Sequence, residues 1–264
     1  MVTRRARPVA CRHPRTSKLP SSLRAACVVF LTVVATAQAA PPVPLFNGRS
    51  LAGWEGDPKW WHVSNGLIVG GSLTEKVPVN VFLATTRTYQ NFDLRLKIKV
   101  TGTAGFINSG VQIRSIRMAG STEMIGYQAD AGEGWWGKLY DESRRKKVIG
   151  EPKDPAAVAA AVRKNDWNDY RIRAEGPRIQ TWINGVPAVD YTETTPDIPQ
   201  DGFIGLQTHS GGPVLVQIKD IMIEELPPTP GAPTWRNIPR PPAKSATRAP
   251  GHDQGLALVS PAAR

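Results

Sequence analysis

FDLRLKIKV, residues 92–100, alternates without a break: Phe92, Leu94, Leu96, Ile98 and Val100 fall on one side, Asp93, Arg95, Lys97 and Lys99 on the other. A period of two marks a strand with one face on a core and one in water. The pattern recurs along the chain in NGLIVGGS (65–72), SGVQIRSIR (109–117), DYRIRAEG (169–176), GFIGLQTHS (202–210) and VLVQIKDIMIEEL (214–226). RIQTWINGVPAVDY (178–191) sets Asn184-Gly185 between two apolar-alternating arms, the strongest short-range hairpin signal. One helix is predicted, DPAAVAAAVRKN (154–165), with Asp154 as N-cap and Pro155 at the first helical position. Many short strands, glycine-rich turns and a single helix predict an all-β fold, a two-sheet antiparallel sandwich.

The ends of the chain read differently from this middle. Residues 1–24 hold seven basic residues and no acid, and the apolar run AACVVFLTVVAT (25–36) and Ala37-Gln38-Ala39 follow. That is the layout of a cleavable signal peptide over residues 1–39, with an apolar run too short to span a bilayer. The sequence therefore predicts an exported protein, periplasmic or secreted, without a transmembrane anchor. Residues 227–264 are proline-rich, lack hydrophobic period, and are predicted to be an extended, disordered tail. The formal charge of +11 belongs to the two ends. The folded segment, 40–226, is electrically balanced, so the high isoelectric point is no footprint of nucleic-acid binding. Both cysteines, Cys11 and Cys27, lie in the leader, which leaves the domain without disulfide or thiol chemistry.

Phosphate loops, dinucleotide-binding glycine motifs, His-Glu-x-x-His, Cys-x-x-Cys and Gly-x-Ser-x-Gly are all missing from the sequence. Polar side chains on strand faces remain. Strand parity puts Asn108, Gln112 and Arg114 on one face, opposite Val111 and Ile113. In GYQADAGEGWWGKLYDES (126–143), Gln128 and Asp130 share a face, and Lys138, Tyr140 and Glu142 alternate with Leu139 and Asp141. Gln207 and His209 fall together in the strand that begins at Gly202. Amides and carboxylates pair with vicinal hydroxyls, and aromatic rings cover the C–H faces of sugars, so this mixture points to carbohydrate. Of Trp135 and Trp136, neighbours that point oppositely, one at most need face a ligand.

LFNGRSLAGW (45–54), NSGVQIR (108–114), GYQADAGEGWWGKLYDES, WNDYRI (167–172), WINGVPAVDY (182–191) and GFIGLQTHSG (202–211) occur in that order. Together they resemble the 3-keto-disaccharide hydrolase family over about residues 43–226. The resemblance implies a concanavalin A-like jelly-roll that binds ligands on its concave face. It also implies cleavage of glycosides whose C3 hydroxyl has become a ketone, supplied by an upstream sugar 3-oxidoreductase. Relatives of another branch carry Glu where this chain has Gln128. A 3-ketone acidifies the C2 proton, so one base, a donor to the enolate and an acid at the leaving oxygen suffice for elimination from C1 and rehydration. His209 suits the base role. Arg114 or Lys138 would hold the enolate oxygen, and Asp130, Glu142 or Tyr140 would protonate the leaving group. Asn108, Gln112, Gln128, Trp136 and Gln207 complete the expected sugar contacts. A divalent cation held by Asp130 and Glu142 or His209 would serve equally well. The alternative is a non-catalytic carbohydrate-binding module on the same fold.

Overall fold

The computed structural model describes residues 41–237; the expected signal peptide and the chain beyond Asn237 lie outside the described residues. The first strands are β1 (Val43–Pro44), β2 (Trp54–Glu55), β3 (Trp61–Ser64), β4 (Leu67–Gly71) and β5 (Val81–Thr85). Then come β6 (Phe92–Gly102), β7 (Asn108–Arg117), β8 (Met124–Gly132), β9 (Leu139–Glu142) and β10 (Val148–Gly150). Helix α1 (Pro155–Ala161) precedes β11 (Asn168–Glu175), β12 (Arg178–Ile183), β13 (Val186–Thr192), β14 (Phe203–Thr208) and β15 (Val214–Glu225). Sheet 1 runs β13-β12-β11-β6-β15-β4-β3, with β1 also on β15; sheet 2 runs β10-β9-β8-β7-β14-β5-β2. Every pairing is antiparallel, for example Ile98 opposite Ile218 and Val111 opposite Leu206.

The quoted stretch is the centre of sheet 1, where β6 lies between β11 and β15. Leu94, Leu96 and Ile98 meet Val111, Ile113, Ala129, Leu139 and Leu206 of sheet 2 in one continuous core. Each fully buried aliphatic contributes about 1.5–3 kcal/mol relative to water. The predicted hairpin forms at Asn184 and Gly185, both with left-handed φ (48° and 83°), as a two-residue turn between β12 and β13 requires. Helix α1 is shorter than predicted; Asp154 Oδ1 accepts from Ala157 N at 2.9 Å, and Val162 returns to extended backbone.

Two expectations need correction. Arg114 leaves the face of Gln112 because a bulge interrupts the β7–β8 register between Ile113 and Ile116, and Arg114 itself takes φ 49°. Its buried guanidinium donates to Gln90 O (2.9 Å), Gly176 O (2.6 Å) and Asn91 Oδ1 (3.0 Å), which ties sheet 2 to the β11–β12 turn of sheet 1. Burial lowers its pKa to about 10. The segment 227–237 is not a loose tail. Trp235 is buried with Ile116, Met118 and Ile125, donates from Nε1 to Arg114 O (3.0 Å), and takes Asp201 Oδ1 at its backbone N (2.8 Å).

This docking is testable. Trp235→Ala should cost about 3 kcal/mol in chemical denaturation, within the range for removing a buried aromatic. Ending the chain after Leu226 should destabilise it at least as much.

Candidate functional site

On sheet 2, one set of alternating positions enters the core; the other set is buried as well, on the face turned away from it. Gln112 and Gln207 are 0 % exposed, and Gln128 and Asp130 are 2 % exposed. The ladders arrange them in rows. Gln207 stands opposite Gly110, which stands opposite Asp130, and Gly205 stands opposite Gln112, which is followed by Gln128 and then Tyr140. Two glycines make room for this. A Cβ at Gly110 would lie 2.7 Å from Gln128 Cγ, so the glycine lets that amide lie flat across β7. At Gly205 a Cβ would meet Met124 Sδ at 2.6 Å.

The amides are oriented by their own bonds. Gln128 Nε2 donates to Asp130 Oδ1 at 2.9 Å, which leaves Gln128 Oε1 and Asp130 Oδ2 buried without partners. Ser115 Oγ lies 2.9 Å from Gln112 Oε1 and 2.8 Å from Ile113 O, sharing its one proton between them; Gln112 Nε2 is left without an acceptor. Both amide atoms of Gln207 are likewise unpartnered. A buried unpaired polar group costs about 1–3 kcal/mol, so several on one face are an expensive feature for a purely structural surface. From the core side, Tyr170 Oη donates to the Asp130 carbonyl at 3.0 Å and pins the β8 backbone beneath the cluster.

The carboxyls are shifted in the direction catalysis uses. Burial drives the Asp130 pKa well above the ordinary value; the Glu142 charge adds to this, and the Gln128 bond and Lys138 only partly oppose it. Glu142 is pushed up to about 7, chiefly by burial, against the Ser143 backbone N–H and Lys146. Tyr140 rises to about 12 through burial and the neighbouring Glu142 and Asp130. Carboxyls on a polar face whose proton affinities are raised by burial are candidates for acid or base roles.

An aromatic wall closes one side. His209 packs edge-on against Phe106 (4.7 Å between centroids), Phe106 against Trp135 (6.1 Å), and Trp135 against Tyr140 (6.1 Å). Lys138 Nζ lies 5.2 Å from the Trp135 ring and 3.7 Å from Glu151 Oε1.

Of the residues singled out from sequence, Gln112, Gln128, Asp130, Tyr140 and Gln207 share this face. Asn108 lies on it at the end of β7, opposite Gly132, and Glu142 at the end of β9, opposite Gly126. His209 stands one residue past the end of β14, half-buried at the rim. Arg114 is elsewhere, as described. Trp136 turns to the other side of its loop and packs against Tyr170 (6.3 Å), so the tryptophan on this face is Trp135. Phe106 and Trp135 were missed; GFINSG (105–110) and GEGWWG (132–137) carry no parity to assign them. Among the described residues, no three His, Cys, Asp or Glu side chains converge as a metal-ligand set. Asp130, Glu142 and His209, the ligands of the alternative cation route, do not form such a set.

The 3-keto-alpha-glucoside-1,2-lyase-like domain model matches residues 41–224. No curated protein matches the chain. A candidate glycosyl hydrolase from Parabacteroides distasonis ATCC 8503 is similar at 20% identity and TM-score 0.52, over 70% of this chain and 94% of that one. A Bacillus subtilis protein of unknown function with a galectin-like fold is similar at 12% identity and TM-score 0.52, over 72% and 96%. At these identities the likeness is one of fold, a jelly-roll sandwich.

The raised carboxyls make a sign prediction. Folded Glu142 keeps its proton to about 7, whereas an unfolded Glu loses it near 4.5. Between those values the folded state binds more protons, so this contribution is present below the lower value and is lost as pH rises through the upper one. Denaturation at about pH 5 and about pH 8 should show stability falling with pH, and Glu142→Gln should reduce the fall.

Proposed function

The chain belongs to the 3-keto-alpha-glucoside-1,2-lyase-like domain family, and from that premise we propose that the buried polar face of sheet 2 cleaves glycosides carrying a ketone at C3. The observation that supports it is the pair of carboxyls with raised pKa values, buried Asp130 and half-buried Glu142, beside amides with unpartnered atoms. A face used for binding alone needs the amides and the aromatic wall; it does not need carboxyls moved towards neutral pH.

The chemistry runs in three proton-balanced steps. A base takes the C2 proton, whose electron pair becomes the C2=C3 enolate. The enolate oxygen is held by an amide N–H, for which Gln112 Nε2 and Gln207 Nε2 are the available donors. The enolate then collapses to form C1=C2, the C1–O bond breaks, and the leaving oxygen takes a proton from the protein. Water adding across the new double bond gives net hydrolysis; release before that step gives a lyase product.

Asp130 is suited to the acid role. Burial raises its pKa, its Oδ1 accepts from Gln128, and its Oδ2 is the oxygen open to the leaving group. The base role, expected of His209, is better matched by Glu142, whose proton affinity near 7 lets it accept at neutral pH without holding the proton afterwards. His209, at the rim against Phe106, is then a sugar contact.

Turnover of a 3-keto-glucoside tests these roles. Asp130→Asn and Glu142→Gln should each lower kcat by about two to four orders of magnitude, the usual worth of a placed acid or base. The limb of the wild-type pH profile near 7 should vanish in Glu142→Gln, and the unoxidised glucoside should be inert. Loss of that limb in His209→Ala, with Glu142→Gln active, would move the base to His209. Full activity in both carboxyl variants would leave the binding-module reading.

A further inference from the structure

On the outer face of sheet 1, cations stand directly opposite cations. Arg171 faces Arg95 across β11 and β6, and Lys97 faces Lys219 across β6 and β15. Like charges in such register destabilise a sheet. Carboxylates offset only part of the excess. Asp93, whose side chain is 1 % exposed, is shared by Arg95 (Nε to Oδ1, 3.1 Å), Arg171 (Nε to Oδ2, 3.0 Å) and Arg173 (3.7 Å). Lys97 pairs with Asp169. Lys99 and Lys219 form no ion pair among the described residues; their ammoniums lie 5.6 and 4.5 Å from the Trp167 ring. Glu175 and Glu224 lie towards the other end of the face, beside Arg173 and Asp93.

The same face contains a hollow. Strand β15 bulges between Lys219 and Met222, with Asp220 at φ 53°. Beside the bulge a depression of about 330 Å³ is bordered by Arg95, Lys97, Asp169, Arg171, Trp182 and Asp220. That volume is at the lower end of the range for small-ligand sites. The Arg171 guanidinium is held from two sides, by Asp93 and by the Trp182 ring at 4.5 Å, whereas the Arg95 side chain is 60 % exposed. One guanidinium is thus fixed in place and the other is free to close on a ligand.

We propose that this hollow binds a uronic-acid unit of an acidic polysaccharide, and that the cations beside it on β6 and β15 take the carboxylates of neighbouring units. The side chains around the hollow select that chemistry. Guanidiniums pair with a carboxylate through two parallel hydrogen bonds. Asp169 and Asp220 accept from sugar hydroxyls, and Trp182 offers an apolar surface to ring C–H groups. A phosphodiester backbone brings acceptors, which the two aspartates repel. A neutral glycan leaves the cation excess unanswered. Arg95, Lys97 and Lys99 recur at every second residue of β6, about 6.7 Å apart, a row that suits an extended chain with repeated charges. The core separates this face from the polar face of sheet 2, so a ligand here is independent of the catalysis proposed above.

Calorimetric titration of the full chain tests this, with a galacturonate oligomer, a neutral glucose oligomer and oligothymidylate at one physiological salt concentration. Each titration is repeated in the double variant Arg95→Gln, Lys219→Gln, which removes two outward cations and leaves the Arg171–Asp93 pair in place. The galacturonate oligomer should bind saturably and at least about tenfold more tightly than the other two. The double variant should keep its melting temperature and lose about tenfold or more of that affinity, the scale of a lost hydrogen bond to a charged group. Equal binding of oligothymidylate overturns the sugar assignment, and equal binding of the glucose oligomer overturns the acidic one. Galacturonate affinity that the double variant retains moves binding to the basic chain ends and overturns the site, as does no binding at all.

Discussion

Asp130 sits in the middle of a sheet, buried, and forms no ion pair among the described residues. A single amide, Gln128, holds one of its oxygens. Much of the surrounding structure follows from accommodating that carboxyl. It needs a backbone that cannot move, which Tyr170 provides from the opposite sheet. It needs space for the partnering amide to lie across the neighbouring strand, which Gly110 provides. An ionised carboxylate in such a place costs several kcal/mol, and burial raises the Asp130 pKa well above the ordinary value.

That arrangement depends on how the sandwich is built. Sheet 1 uses its alternation in the ordinary way: Leu94, Leu96 and Ile98 are in the core, and Arg95, Lys97 and Lys99 face outward. Sheet 2 buries both faces, one apolar and one polar. Its strands β7 and β8 are buried along almost their whole length, although half of their side chains are amides, a carboxyl, serines or glycines. At the edge of the polar half, Trp135 packs against Tyr140 and Phe106 against Trp135.

The strand skeleton was legible because alternation is a local signal, and the Asn184-Gly185 turn and the Asp154 cap were legible because each rests on one backbone requirement. Parity also assembled Gln112, Gln128, Asp130, Tyr140 and Gln207 on one face. It failed wherever the count of two was interrupted. The β7 bulge sent Arg114 into the inter-sheet clamp. The glycine-bounded turn at 132–137 made Trp135 and Trp136 indistinguishable from sequence, and the site took the other one. VFLAT (81–85) shows no alternation because Leu83 faces the core while Phe82 and Ala84 pack with Met124 on the far side. Trp235 was hidden in a proline-rich run whose composition suggested no fixed partner, yet the partner lay far away in sequence, on β7.

If sheet 2 acts on a sugar as proposed, its unpaired amides are kept for that ligand at the expense of the fold. Gln207 tests it most directly, since neither of its amide atoms has a partner and its side chain is fully buried. Gln207→Met preserves shape and removes the unpaired groups. Denaturation of this variant should show a gain of about 1 kcal/mol, from relieving an unmet desolvation cost. Turnover of a 3-keto-glucoside should fall by at least about tenfold, since a developing charge loses a donor. A variant that is less stable than the parent and equally active would contradict it.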